Sequence, residues 1–507
     1  MLCGMRGLSE TFWGILLAGM LFAGTNLFAQ IEDASPLQLA LGFEEAVTSA
    51  IAQCEKSVVS IARLTPPKDD PEVDFNLFQG PFGQQNLRNP NANNPMLFDF
   101  VPSRYGAGIV LSADGFLLTN YHVIDDYFTQ EESEIRTTIP DRIIVWTHER
   151  RPYEARVVGA DPRSDLAVLK INAESLSPMP LGDAKTLKKG SFVIALGNPY
   201  AIAREGSPSA SWGIVSHLGR KLWHVGEQSF GNSVLTLHEF GTLIQTDAKL
   251  NLGTSGGALL NLHGKMIGLT SSLAALAGGE RSAGFAIPVD QTFRRVVATL
   301  REGREVEYGF LGVSVRNLSS EQFQQGTQGV YVSEVMQGTS AEQMGVKEND
   351  VILSVNDVPL RQADDLMLQV GHLPVEAKVR LKVMRDGQVV PLKEIPLSKY
   401  PIRGIKVVTQ PARRWRGMEI DYSTASDAMT RAVPNNNPIA QGSVYVRRVE
   451  PNSPAAQAGL RPGTFLTSVN GKTVTHPQDF WQAVNQANGE VRVKLFENAQ
   501  TITIPAP

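Results

Sequence analysis

His122, Asp165 and Ser255 are of the three types that acyl-transfer chemistry combines, and they follow one another in the order His, Asp, Ser. A peptide carbonyl is a poor electrophile. Its hydrolysis near neutral pH needs an activated nucleophile, a base that takes and returns a proton, and donors for the developing oxyanion. Ser255 lies in Gly253-Thr254-Ser255-Gly256-Gly257, where missing side chains let backbone amides converge and a substrate carbonyl approach closely. A serine in a glycine-rich turn is often only a turn residue, so this run alone does not decide. His122 follows the apolar stretch from Gly115 to Tyr121 at a strand end. A histidine there either hydrogen-bonds structurally or takes the serine proton, its ordinary pKa of about 6.5 suiting the task. Asp165 opens Asp165-Leu166-Ala167-Val168-Leu169, a carboxylate at the mouth of an apolar strand. The plainer reading is a solvated turn residue like its neighbour Asp161, which precedes Pro162.

The elements that must position these residues read as strands. From Tyr105 to about Val297, short β-branched runs such as Ala107–Ser112, Phe116–Asn120, Arg142–Trp146 and Leu166–Ile171 alternate with Gly, Asn and Asp turns. Many short strands argue for barrels or sandwiches. Across such a segment, the order His, Asp, Ser is the one used by chymotrypsin-like proteases. The flanking words make a resemblance specific. Thr119-Asn120-Tyr121-His122-Val123, Asp165-Leu166-Ala167-Val168-Leu169, and Gln245-Thr246-Asp247-Ala248 through Asn251 to Gly257 resemble the three blocks of the HtrA family. Thr254 departs from the family's usual Asn. The segment from Gly213-Ile214-Val215-Ser216 to Gln245, holding Trp223, His224, Phe230 and His238, is longer than the family's.

The resemblance implies a mostly β chain: a chymotrypsin-like double β-barrel protease domain followed by two α+β PDZ-like domains. It implies a serine endopeptidase degrading unfolded or misfolded exported proteins. His122 would be the base, Asp165 its orienter and Ser255 the nucleophile, with the N–H groups of Gly253 and Ser255 as oxyanion donors. It places Leu250, with the stretch Ile267 to Ser271, near the pocket for the residue before the cut, which favours small aliphatic side chains. No acidic residue stands just before Ser255, and Lys249 would repel a basic side chain. The family assembles from trimers, so a homotrimer or a multiple of trimers is implied, with unfolded proteins and peptides as substrates and no cofactor. The competing class is a non-catalytic peptide-binding chaperone or scaffold.

After Arg301 an internal repeat appears. Val330-Tyr331-Val332 recurs as Val444-Tyr445-Val446, and the same offset aligns Ala341 with Ala455, Gly345 with Gly459, and Ser354-Val355-Asn356 with Ser468-Val469-Asn470. Each repeat resembles a bacterial PDZ domain, a module that adds a peptide strand to a sheet edge and holds its terminal carboxylate. In the first, Gly309 followed by Phe310, Leu311, Gly312 and Val313 matches the family's carboxylate loop. In the second, Glu419 is expected at or beside the matching glycine, bringing a like charge toward a carboxylate and disfavouring binding. The expected divisions are 1–29, a signal peptide; 30–65, a lead-in helix and first strand; 66–104, a long loop within the protease domain; 105–300, the rest of that domain; 301–398 and 415–507, the two modules, joined by a linker over 399–414.

Composition narrows the partners. A net charge of -4 with no polybasic run gives no reason to expect nucleic acid or anionic lipid. Arg6, an apolar run from Phe12 to Gly24 and the small residues through Ala29 read as a signal peptide, which predicts an exported, periplasmic protein. Left uncleaved, the same run would anchor the chain to a membrane. Cys54 is left without a partner once Cys3 departs, and reads as a small buried apolar side chain. His217, His224 and His238 lack the close paired spacing of structural metal sites, so no metal is expected.

Overall fold

The computed structural model describes residues 35–64, 104–125, 134–139, 141–198, 207–221, 236–251, 253–271, 283–402, 404–410, 412–426, 442–485 and 487–506. The expected signal segment 1–29, the 66–104 loop apart from Arg104, and His224 lie outside them.

Strands β1 (Val58–Leu64), β2 (Arg104–Val110), β3 (Phe116–Asn120), β4 (Glu134–Arg136), β5 (Arg142–Trp146), β6 (Pro152–Asp161) and β7 (Leu166–Lys170) build the first half of the protease domain. Six of them run β6-β5-β1-β2-β3-β7, and β7 pairs back onto β6, which closes a barrel. A second closed barrel, β10-β13-β12-β11-β8-β9, uses β8 (Phe192–Gly197), β9 (Ser209–Arg220), β10 (Leu243–Thr246), β11 (Ala258–Leu260), β12 (Met266–Ser271) and β13 (Gly284–Pro288). Side chains alternate along each strand, and both faces are used. Ile61, Leu117, Ile143, Val145 and Leu169 fill the first barrel. Val193, Ile244, Leu259, Ile267 and Ala286 fill the second. The alternate residues Ile109, Leu118, Val168, Leu196, Leu260 and Leu269 form the core that joins one barrel to the other.

Two helices frame this pair. Pro36–Cys54 starts with a capping box, Ser35 and Gln38 exchanging bonds of 3.2 and 2.7 Å, and delivers Cys54 to the second barrel, where its Sγ meets the Gly264 carbonyl at 3.0 Å. Burial pushes the Cys54 thiol up to about 11, so it is protonated at neutral pH. The second helix, Gln291–Arg301, is capped by Asp290 and buries Phe293, Val296, Val297 and Leu300, the spacing of one helical face.

The two repeats fold alike. In the first, strands Val313–Asn317, Val330–Val335, Val351–Val355, Leu381–Arg385 and Gln388–Pro391 lie in sequence order, with helix Ala363–Gly371 against them. In the second, Met418–Tyr422, Val444–Val449, Phe465–Val469, Val491–Leu495 and Thr501–Ile504 repeat that order, with helix Pro477–Val484. The 399–414 stretch does more than connect them. Ile405–Val408 is a strand that pairs antiparallel with β6 and parallel with β4, so the chain returns to the first barrel before entering the second module.

A buried cluster of ions fixes this return. Lys399 Nζ lies 3.1 Å from Glu305, 2.9 Å from Glu307 and 3.0 Å from Asp421. Lys406 Nζ is 2.6 Å from Glu305, and Arg447 Nη1 reaches Glu305 at 3.0 Å and Asp421 at 3.2 Å. Burial alone would raise the Glu305 carboxyl, but Lys399, Lys406 and Arg447 hold it well below the ordinary carboxylate range. A depressed carboxyl contributes stability that is fully present above its unfolded pKa of about 4.3 and is lost as pH falls through the folded value. The second module should therefore stay docked from pH 7 to about 5 and loosen on stronger acidification. In Asp421→Asn, which leaves Lys399 and Arg447 short of an anion at a cost of ~3–5 kcal/mol, it should be loose already at pH 7. Small-angle scattering reads this as an increased radius of gyration; an unchanged radius in the variant would contradict it.

Candidate active site

Asp165 is fully buried at a left-handed φ of 55°, in the turn between β6 and β7. An ionised carboxylate there must be met by donors. His122 supplies two, its backbone N–H at 3.1 Å and its ring Nδ1 at 2.9 Å, and Asn120 Nδ2 supplies another at 3.2 Å. These groups arrive together because β3 and β7 pair with Asn120 opposite Leu166, and the one-turn helix Tyr121–Ile124 starts where β3 stops. The Tyr121 N–H also donates to the Asp165 carbonyl at 3.0 Å. A carboxylate only accepts, so Nδ1 carries the proton and Nε2 keeps its lone pair. Of the expected three residues, His122 and Asp165 are in direct contact.

Ser255 belongs to the second barrel, in the turn before β11. It is 3% exposed, and its carbonyl accepts the Ala107 N–H of β2 at 2.7 Å. Gly106 marks how near the serine turn comes to the histidine helix. A Cβ there would come within 2.8 Å of the Val123 side chain and 3.2 Å of the Ser255 carbonyl. Within the turn, Thr254 N–H is committed to the Asn251 carbonyl, Gly256 N–H to Thr270 and Gly257 N–H to Thr254, at 3.1, 2.9 and 3.0 Å. Gly253 and Gly256 have φ of 92° and 83°, and a Cβ on Gly256 would run into the Ala107 carbonyl. Thr254, the departure from the family's Asn, turns its hydroxyl back to the Asn251 carbonyl at 2.7 Å. Leu250 is half-buried over Gly284. In β12, Thr270 Oγ1 donates to the Thr254 carbonyl at 2.5 Å, whereas Ile267 belongs to the interior of the second barrel.

Asp161 is not the solvated turn residue its sequence position suggested. It is 1% exposed and accepts bonds from Ser164 Oγ at 2.6 Å, Ser164 N–H at 3.0 Å and Tyr308 O–H at 2.5 Å. Burial raises its carboxyl above the ordinary range despite these donors. His238 is likewise buried, its Nε2 bonded to the Ser164 carbonyl at 2.9 Å and its Nδ1 to Thr242 at 2.7 Å; burial lowers its pKa, so the ring is neutral. Asp161, Ser164, His238 and Tyr308 thus brace the turn that presents Asp165. Asp161 and Ser164 are local to the turn, whereas only long-range packing brings His238 and Tyr308 there. Among the described residues, no group of three or more His, Cys, Asp and Glu could hold a metal ion.

In the first module, Phe310, Leu311, Gly312 and Val313 line a cleft closed on its other side by Leu366 and Val370 of the helix. Gly312 has a φ of 86°, and its carbonyl accepts the Met336 N–H at 2.9 Å. In the second module the equivalent glycine is Gly417, also at φ 86°, whose carbonyl accepts the Glu450 N–H at 2.7 Å. This corrects the expectation for Glu419, which lies two residues further along, in the strand, paired with Arg414 at 2.8 Å. At the loop itself, Arg416 stands in the place of Leu311. It turns onto the Ile504 and Pro505 carbonyls at 2.9 and 2.6 Å.

Comparison with known proteins agrees with this architecture. Residues 106–269 match the trypsin-like peptidase domain, and 309–393 and 445–496 each match a PDZ domain. The periplasmic serine endoprotease DegP of Salmonella typhimurium is 32% identical over 375 residues, covering 73% of this chain and 69% of that protein. A probable periplasmic serine endoprotease DegP-like from Marinomonas sp. is 30% identical over 474 residues, covering 92% of this chain and 90% of its own. The solved HtrA-type protease AlgW with decapeptide is 28% identical, with a TM-score of 0.48 over 70% of this chain and 98% of its own. With its double-barrel peptidase domain and paired PDZ domains, the chain belongs to the HtrA family of DegP-like serine endoproteases.

Proposed function

We propose that this protease cleaves unfolded or misfolded exported proteins in the periplasm through an acyl-enzyme formed on Ser255. The observation that carries the assignment is the buried Asp165 carboxylate gripping His122 Nδ1 at 2.9 Å, which leaves Nε2 directed by elimination as the base. Nε2 takes the Ser255 proton as Oγ attacks the scissile carbonyl, then returns it to the leaving amine. Water repeats the sequence to release the acid. Asp165 stays ionised and stabilises the imidazolium that forms between the two transfers. The N–H groups of Gly253 and Ser255 are assigned as oxyanion donors, since those of Thr254, Gly256 and Gly257 serve the turn itself. Periplasmic location is supported by the periplasmic relatives and by the leader-like sequence of residues 1–29, and the substrate class by the resemblance to the family.

Leu250, half-buried beside the serine turn, is proposed as the wall of the pocket for the residue before the cut, and Phe310, Leu311, Gly312 and Val313 as the loop for a peptide carboxylate. For assembly we propose a homotrimer or a multiple of it. Phe43, Phe192 and Trp212 cluster in tilted and edge-on contacts with centroids 5.0 to 6.0 Å apart. Phe192 and Trp212 remain 43% and 59% exposed beside a helix that also exposes Leu37 and Leu41, a patch suited to burial against a second copy.

Ser255→Ala should reduce hydrolysis of an unfolded model protein by about 10^4-fold or more without altering the thermal melt; equal activity in parent and variant would remove Ser255 from the chemistry. A peptide library should show cuts after Val and Ala dominating, with cuts after Arg or Lys as the contrary result. Mass measurement of the purified protein should give three subunits or a multiple, and Trp212→Ser should shift the distribution toward the monomer; a parent that is monomeric at all concentrations would refute the assembly.

A further inference from the structure

Arg163 stands two residues before Asp165 in the protease domain, yet its side chain lines the cleft of the first PDZ module, beside Gly309, Gly312 and Val370. It is 1% exposed, and its Nε and Nη1 find no hydrogen-bond partner among the described residues. Its guanidinium lies 3.5 Å over the Tyr400 ring and 5.4 Å from the Tyr308 ring. At the far wall, a Cβ on Gly371 would come within 3.3 Å of Nη2, so the helix end packs closely against the group.

A buried guanidinium with unsatisfied N–H groups is costly, and stacking on tyrosine offsets only part of that cost. The partner that an arginine fork matches is an anion with two oxygens. The cleft is built to receive a chain end bearing one: the strand edge Val313–Asn317 lies next to the Gly312 loop, and a peptide added there would bring its terminus to Arg163. We propose that Arg163 of the protease domain is the cationic ligand for the C-terminal carboxylate of a peptide bound in the first PDZ cleft, which makes this a composite site completed by domain docking. The proposal rests on reading that cleft as a carboxylate site. Arg163 is fixed for the role from both sides, its carbonyl by the Leu237 N–H at 2.9 Å and its turn by the bonds of Asp161 to Ser164 and Tyr308.

The test is binding by the full chain in a Ser255→Ala background, so that the probe survives. The probe is a fluorescein-labelled hexapeptide, Gly-Ser-Ala-Leu-Val-Val, as free acid and as C-terminal amide, read by fluorescence anisotropy. The parent should favour the acid. Arg163→Met should weaken the acid ~10- to 100-fold, as loss of hydrogen bonds to a charged group does, and leave the amide unchanged. Arg163→Lys should keep part of the preference. An acid preference undiminished in Arg163→Met overturns the role of Arg163 while leaving the cleft a carboxylate site. No acid preference in the parent overturns the carboxylate reading and the proposal with it. Equal loss of acid and amide binding in both variants marks a merely structural arginine and overturns the proposal.

Discussion

A carboxylate with no exposed surface keeps its charge only while donors surround it, and the arrangement of the whole protease domain follows from keeping Asp165 in that condition. Two backbone segments have to converge on it, which the pairing of β3 with β7 achieves. The helix bearing His122 must not fray, and Tyr121 pins it by burying its ring in the first barrel and donating its hydroxyl to the Ile405 carbonyl at 2.8 Å. The turn before β7 adopts a left-handed conformation at a non-glycine residue, which costs on the order of 1 kcal/mol and persists only where surrounding bonds over-determine it. Asp161, Ser164 and His238 supply those bonds.

The same turn is where the domains meet. Tyr308, at the threshold of the first PDZ module, places its hydroxyl on Asp161, so the module's entry and the aspartate turn share one hydrogen-bond network. Because Asp161 is buried with its carboxyl raised, and Tyr308 is held well above an ordinary phenol by burial and by Asp161, the phenol is the donor and the pair stays compact. His238, neutral, adds a bond to the Ser164 carbonyl without introducing another charge. The bond from Tyr308 adds direction to a contact that is otherwise apolar, since Val306, Tyr308 and Ile402 belong to the same buried core that joins the two barrels.

The catalytic segments and the repeat were legible because their information is local. His122 and Asp165 are each flanked by strand-like words, and the two barrels follow the alternation those words imply. The repeat likewise carries over in strand order, with its ungapped offset holding for the strands that start at Val330 and Val351 and their counterparts at Val444 and Phe465. What escaped reading is what only three dimensions decide. Asp161 looked solvated because a proline follows it, and nothing nearby announces Tyr308, 147 residues away. The expectation that sets Glu419 at or beside the equivalent of Gly312 fails because the apolar residues beside both loops permit more than one alignment; the positive φ of Gly417 and its bond to Glu450 identify the equivalent residue. The basic 399–414 stretch resembles a tether by composition, whereas Ile405–Val408 is strand because β6 offers it an open edge.

That last strand changes what kind of object the first PDZ module is. The chain leaves the barrels along Gln291–Arg301, runs through the module, and rejoins β6 at Val407 and Val408, while Gly309–Phe310 pairs with Ser398–Lys399 across the module's neck. Topologically the module is an insertion in the protease fold, held at both ends, rather than a bead on a string. A bead on one flexible tether explores a sphere, and its effective concentration at the parent domain falls steeply with tether length. A doubly anchored insertion with a zipped neck has few rotational degrees of freedom to lose on docking, so its resting place against the barrel is favoured entropically before any contact is made.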